Sequence, residues 1–92
     1  MQIEILDGVM RLSGDITVNT VTEAGLRQFR QAFKSGGQLS RMDFSAVGRA
    51  DSACLSLLLT ARRLNPQIKA QAVPASVLAL AELYEIRDWM EA

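Results

Sequence analysis

The fold of this 92-residue chain is decided by residues 42–59, which read MDFSAVGRADSACLSLLL. The first residues of this stretch, Met42 to Phe44, are the end of a strand that we predict over Leu39 to Phe44, and a short loop follows. A second helix is predicted from Ala53 to Leu64, with Asp51-Ser52 immediately before it. One of these two side chains is expected to cap the helix, because Asp and Ser oxygens accept hydrogen bonds from its free N–H groups. The helix dipole adds partial positive charge there, so the hydroxyl of Ser52 could meet a phosphate or an acidic group of a partner.

The residues before this stretch predict a hairpin and a first helix. Asp7-Gly8 suits a type I′ turn between strands at residues 2–6 and 9–13, and Gly14 is expected to end the second strand. Thr20 and Glu23 have the spacing of a capping box, with Thr20 as the N-cap. They precede an amphipathic helix of about 13 residues that stops at the glycines after Ser35.

The residues after it predict one more strand and one more helix. Apolar and polar residues alternate from Ile68 to Ala72, and Pro74 suits the first turn of a third helix. The segment Ile86–Met90 fits either a last strand or a docked turn. The predicted order is β-β-α-β-α-β-α with a short C-terminal element. This order is typical of a single α/β domain over residues 1–92, with helices packed on a mixed β-sheet.

The charges limit the partners that we expect. Ten basic and ten acidic residues give a formal net charge of zero, and no stretch is strongly basic. Nucleic acid is therefore not expected as a partner, because it requires clustered Lys and Arg. Self-association is compatible with this neutrality. No apolar stretch reaches the roughly 18 residues of a membrane span, and the N-terminus does not resemble a signal peptide, so we expect a cytoplasmic protein without direct membrane insertion.

The side chains available for chemistry argue against an enzyme. The chain has no histidine, and its single cysteine, Cys54, has a helical phase that points inward. No metal-ligand cluster, glycine-rich phosphate loop or pair of carboxylates is recognisable in the sequence. We therefore expect no catalytic residue, no metal and no cofactor. A small-molecule-binding or enzymatic domain is the disfavoured alternative.

The second helix has an apolar arc that covers more than half of its circumference. Either it lies between the sheet and a neighbouring helix, or the extra edge around Leu57 and Leu64 contacts another protein. On the second interpretation, the docking surface combines the loop from Gly48 to Ser52 with a polar strip and an apolar edge of the helix. The residues expected to bind a partner or to regulate binding are Arg49, Asp51, Ser52, Ser56, Leu57, Thr60 and Arg63.

Four segments together resemble the STAS domain family: Leu12–Ile16, Met42–Ser45, Arg49–Leu55 and Leu80–Ile86. Within the family, the short chain, the leucine-rich segment Leu55–Leu59 and the later segment Ala81–Tyr84 look most like the stand-alone STAS subunit of the Mla phospholipid-transport ABC system. The resemblance implies a non-enzymatic regulatory or assembly subunit that binds the ATPase of such a bacterial complex. It also implies a cytoplasmic location, with any place at the inner membrane reached through the partner.

The same family includes anti-sigma factor antagonists, which the sequence leaves as the alternative. In those proteins a partner kinase phosphorylates the hydroxyl residue after the Asp, and Ser52 matches that position. Cys54 stands where the family pattern has Gly. We expect its thiol to fill space that a partner backbone would need, which favours plain docking over a kinase-controlled switch.

Overall fold

The computed structural model of the chain describes residues 1–34 and 39–83. Its elements, in chain order, are β1 (Gln2–Leu6), β2 (Val9–Ile16), α1 (Glu23–Lys34), β3 (Arg41–Ala50), α2 (Ser52–Leu64), β4 (Lys69–Gln71) and α3 (Ala75–Leu83). The predicted order β-β-α-β-α-β-α is therefore confirmed. The C-terminal element expected at Ile86–Met90 lies outside the described residues. None of the helices in the described ranges is long and apolar enough to span a bilayer.

The four strands form one mixed sheet in the order β1-β2-β3-β4. β1 and β2 are antiparallel, whereas β2–β3 and β3–β4 are parallel pairs. Alternation along each strand places Met10, Leu12, Met42 and Phe44 on one face, where all four are almost fully buried. Side chains of all three helices complete the same core. The structure is thus a sheet with helices packed against one of its faces.

The first hairpin confirms the prediction from Asp7-Gly8. Both residues have positive φ, 51° and 79°, as a type I′ turn requires. β2, however, continues to Ile16 instead of ending at residue 13. Gly14 has a φ of 79° and lies where the register between β2 and β3 shifts, so it allows an irregularity within the strand and does not end it.

The start of α1 differs from the prediction by two residues. Thr22, not Thr20, is the cap: its hydroxyl accepts a hydrogen bond from the Gly25 amide at 3.0 Å. Thr20 belongs to the preceding turn, where its hydroxyl donates to the carbonyl oxygen of Asp15 at 2.8 Å. The sequence contains two threonines that could cap, and the turn requires the first of them.

β3 is longer than predicted and takes in most of the expected loop. It runs from Arg41 to Ala50, and its second half pairs with the end of β2 through Ser13–Ala46, Gly14–Val47 and Ile16–Ala50. Only Asp51 separates the strand from α2. The docking segment expected as a loop from Gly48 to Ser52 is therefore the end of a strand followed directly by a helix.

Candidate functional site

Of the residues singled out by the sequence, Arg49, Asp51 and Ser52 lie at the carboxyl end of the parallel strands, and the others follow along α2 toward Arg63 in its last turn. β2 and β3 end side by side, Ile16 opposite Ala50, and α2 begins immediately after β3. The first turn of α3 reaches the same edge, because the Ser76 hydroxyl donates to the Ala50 carbonyl at 3.3 Å. In open α/β sheets this edge is where ligands usually bind, since the loops and the helix N-termini gather there.

Asp51 is the N-cap of α2 and also holds the neighbouring connection. Its Oδ1 accepts a hydrogen bond from the Ala53 amide at 2.8 Å, and its Oδ2 accepts one from the Val18 amide at 3.2 Å. The sequence left open whether Asp51 or Ser52 caps the helix, and the structure assigns the cap to Asp51. Ser52 is the first helical residue and is exposed, so its hydroxyl is free to meet a partner.

Asp15 makes the reciprocal contact from β2 to the end of β3. Its Oδ1 accepts a hydrogen bond from the Arg49 amide at 2.8 Å. A Cβ atom added at Gly48 would stand 2.6 Å from the same oxygen, so a larger residue would require the Asp15 carboxylate to shift. Asp15 thus ties β2 to the end of β3, and Asp51 ties the β2–α1 connection to the start of α2. Asp15 was not among the predicted site residues, although it belongs to the quoted segment Leu12–Ile16.

Six of the seven predicted partner-binding residues reach the surface. Arg49, Ser52, Ser56 and Arg63 are exposed, while Asp51 and Thr60 are half-buried. On α2 the hydroxyl residues and Arg63 follow one another at spacings of three or four, which places them on one stripe of the helix. We call Arg49 together with the first part of this stripe (Ser52, Ser56 and Thr60) the Ser52 surface, whereas Arg63 lies in the last turn of α2, at the other end of the helix.

Leu57 is not part of that surface, and its predicted role as an exposed apolar edge is wrong. Only 1% of the residue is exposed, and it belongs to the core cluster. α2 contacts both α1 and α3 as well as lying on the sheet, so its wide apolar arc is covered by neighbours within the domain. Leu64, at the end of the helix, is 40% exposed.

Cys54 points into the core, as its helical phase predicts, and is fully buried. Burial, assisted by the negative charge of Asp51, raises the pKa of the Cys54 thiol to about 12. The thiol therefore does not fill the space in front of Ser52. The expectation that Cys54 disfavours modification of Ser52 loses its physical basis.

We expect the Cys54 thiol to be almost unreactive in the folded protein. A thiolate-directed reagent at pH 8 should label native protein very slowly, because a buried thiol with a raised pKa supplies little thiolate. The same reagent in strong denaturant should label it completely. Because Cys54 is the only cysteine, intact mass gives the result directly. Rapid stoichiometric labelling without denaturant would contradict the buried position.

These features define an α/β domain of the STAS type, in which a hydroxyl residue is presented at the start of the helix that follows the central strand. The chain belongs to the family described as "Mlab, STAS domain", whose model matches residues 2–91. Among solved structures it is similar to the anti-sigma factor antagonist SpoIIAA in its unphosphorylated form, with a TM-score of 0.61 and 17% identity. That similarity covers 99% of this chain and 86% of the other, and it supports the fold. No curated protein matches the chain.

Proposed function

We propose that this chain is a non-enzymatic regulatory or assembly subunit that binds the ATPase of a bacterial phospholipid-transport ABC complex. The observation that carries the proposal is the match of the "Mlab, STAS domain" family over residues 2–91. The resemblance of the sequence to the stand-alone STAS subunit of Mla systems supplies the class of partner. We place the contact with the ATPase on the Ser52 surface.

The geometry supports docking because this surface is both polar and held in place. The Asp15 carboxylate accepts from the Arg49 amide on the neighbouring strand and Asp51 accepts from the Val18 amide in the β2–α1 connection, so little ordering is needed when a partner binds. The exposed guanidinium of Arg49 can pair with a carboxylate of the ATPase, which is among the stronger polar contacts in proteins. The exposed hydroxyl of Ser52 can both donate and accept a hydrogen bond.

The proposal is tested by mixing the chain with the purified ATPase subunit of the phospholipid-transport ABC complex from the same host. We expect a stable complex and a changed rate of ATP hydrolysis. Arg49→Gln should weaken the complex, whereas Arg11→Gln, which removes an exposed cation from the open face of the sheet, should not. Failure of the wild-type chain to bind at tens of micromolar would overturn the proposal.

An anti-sigma factor antagonist is the second candidate function, with an anti-sigma factor kinase as partner. It is favoured by one observation: Ser52 is exposed in the first turn of α2, and the buried Cys54 does not obstruct it. Intact-mass analysis of protein from the native host tests it. One phosphate mapped to Ser52 at high occupancy, together with binding to a kinase of this class, would replace the ABC assignment.

A further inference from the structure

Basic residues collect at the end of the domain opposite to the Ser52 surface. α1 and α2 run back from the carboxyl ends of the strands, so their last turns lie where β3 and β4 begin. Two hydrogen bonds define this end: the side-chain Nδ2 of Asn65 donates to the Leu39 carbonyl at 2.7 Å, and the backbone amide of Lys69 donates to the Ser40 carbonyl at 3.0 Å. The cations brought here are Lys34, Arg41, Arg62, Arg63 and Lys69. We call this region the basic end.

Much of this charge is available to a partner. Lys34, Arg63 and Lys69 are exposed, and within the described parts of the chain none of them has an ion-pair partner within 4.0 Å. Among the described residues, the acids near the same end are Asp7, in the β1–β2 turn, Glu4 and Asp43, which share a groove with it, and Glu82, near the end of α3.

The basic surface continues along the side of α1. Arg27, Arg30, Gln31 and Lys34 line one shallow groove with a volume of about 290 Å³. Of the described positions on this helix, those that are exposed are polar or charged apart from Ala24. The groove therefore lacks the apolar centre that is typical of a protein–protein interface.

Three exposed leucines lie toward this end of the strands, although Leu6 shares a groove with Glu4, Asp7, Arg11 and Asp43 and does not lie among the cations. Leu6 precedes the β1–β2 turn and is 74% exposed, Leu64 ends α2 and is 40% exposed, and Leu83 ends α3 and is 78% exposed. The turn belongs to this end because the Ser40 amide donates to the Gly8 carbonyl at 2.8 Å. Three large apolar side chains thus project from three separate elements.

From this arrangement we propose that the basic end binds the surface of an anionic lipid bilayer. Lysine and arginine attract anionic headgroups, and separate leucines can enter the boundary between headgroups and acyl chains without a complementary partner surface. Because the basic end and the Ser52 surface lie at opposite ends of the strands, the domain could contact a membrane and a protein partner together.

The test uses lipid vesicles and the full chain without any protein partner. We expect sedimentation with vesicles of phosphatidylcholine and phosphatidylglycerol at low salt, little binding to phosphatidylcholine alone, and release at high salt. Lys34→Gln with Lys69→Gln should weaken binding about 30-fold, since each cation near an anionic surface contributes roughly a factor of five. Leu83→Ser should also weaken binding, because it removes an exposed apolar side chain.

The matched control is the pair Arg11→Gln with Arg49→Gln, which lowers the net charge by the same amount. Arg11 lies on the open sheet face with its Nε 3.9 Å from Oδ2 of Asp43, and Arg49 lies at the opposite end. This pair should keep binding within a few-fold of wild type, and circular dichroism should show that each variant is folded.

An equal loss in both pairs, or no binding of wild type to anionic vesicles, would overturn the proposal. Binding of the basic end to an acidic protein but not to anionic vesicles would also overturn the proposal. The assay contains no ATPase, so its failure and failure of the proposed function are distinguishable.

Discussion

Leu57→Asp is expected to unfold most of the protein. The side chain is 1% exposed in the core between the sheet and the helices. The substitution removes buried apolar volume, at a cost of about 2–5 kcal/mol for a Leu→Ala change alone, and adds a carboxyl group with no polar partner. A domain of this size is stable by about 5–15 kcal/mol in total. We therefore expect loss of the native circular dichroism spectrum, or a melting temperature lowered by far more than any surface change produces.

The control for this experiment is the adjacent residue. Ser56→Asp adds the same group on the same helix, but at an exposed position, and should change the free energy of unfolding by about 0.5 kcal/mol or less. A native spectrum and unchanged melting in Leu57→Asp would refute the buried position. One practical consequence follows: loss of partner binding in this variant would report unfolding and not the position of a docking surface.

The hairpin and the order of elements could be predicted because their signals are local. Asp7-Gly8 specifies positive φ at two successive residues, and the apolar periodicity of each helix marks its inner face. The interpretation of Leu57 failed for a different reason. The width of the apolar arc on α2 was evident, but how many neighbours cover that arc depends on where α1 and α3 pack.

The ends of β2 and β3 show a second limit of sequence analysis. The stretch from Ser45 to Ala50 contains Ser, Gly and Arg without apolar alternation, so it does not predict a strand. It becomes one because β2 continues beyond Gly14 and supplies the pairing partners. The contact between Asp15 and the Arg49 amide depends on the same pairing. The short distance between Gly48 and Asp15 could not be anticipated while Gly48 was placed in a loop.

Changes at Ser52 should separate an effect on binding from an effect on folding. Ser52→Ala should weaken the complex with the ATPase subunit by about 0.5–1.5 kcal/mol, the value of one neutral hydrogen bond. Ser52→Asp should weaken it far more, because the interface would then have to desolvate a charge beside the Asp51 carboxylate. Titration calorimetry of each variant against the same ATPase subunit measures the difference.

The free domain should tolerate the same charge. Ser52 is exposed in the first turn of α2, where the helix dipole favours negative groups, so Ser52→Asp should melt close to wild type. Gln28→Glu adds one negative charge on the exposed side of α1 and serves as the matched control, with unchanged binding.

If Ser52→Asp bound as tightly as Gln28→Glu, Ser52 would lie outside the interface. If it bound poorly but also melted much earlier, the cap at Asp51 would have been disturbed and the lost binding would reflect folding. A stable, folded Ser52→Asp variant with severely reduced affinity is the result that identifies the start of α2 as the contact with the partner.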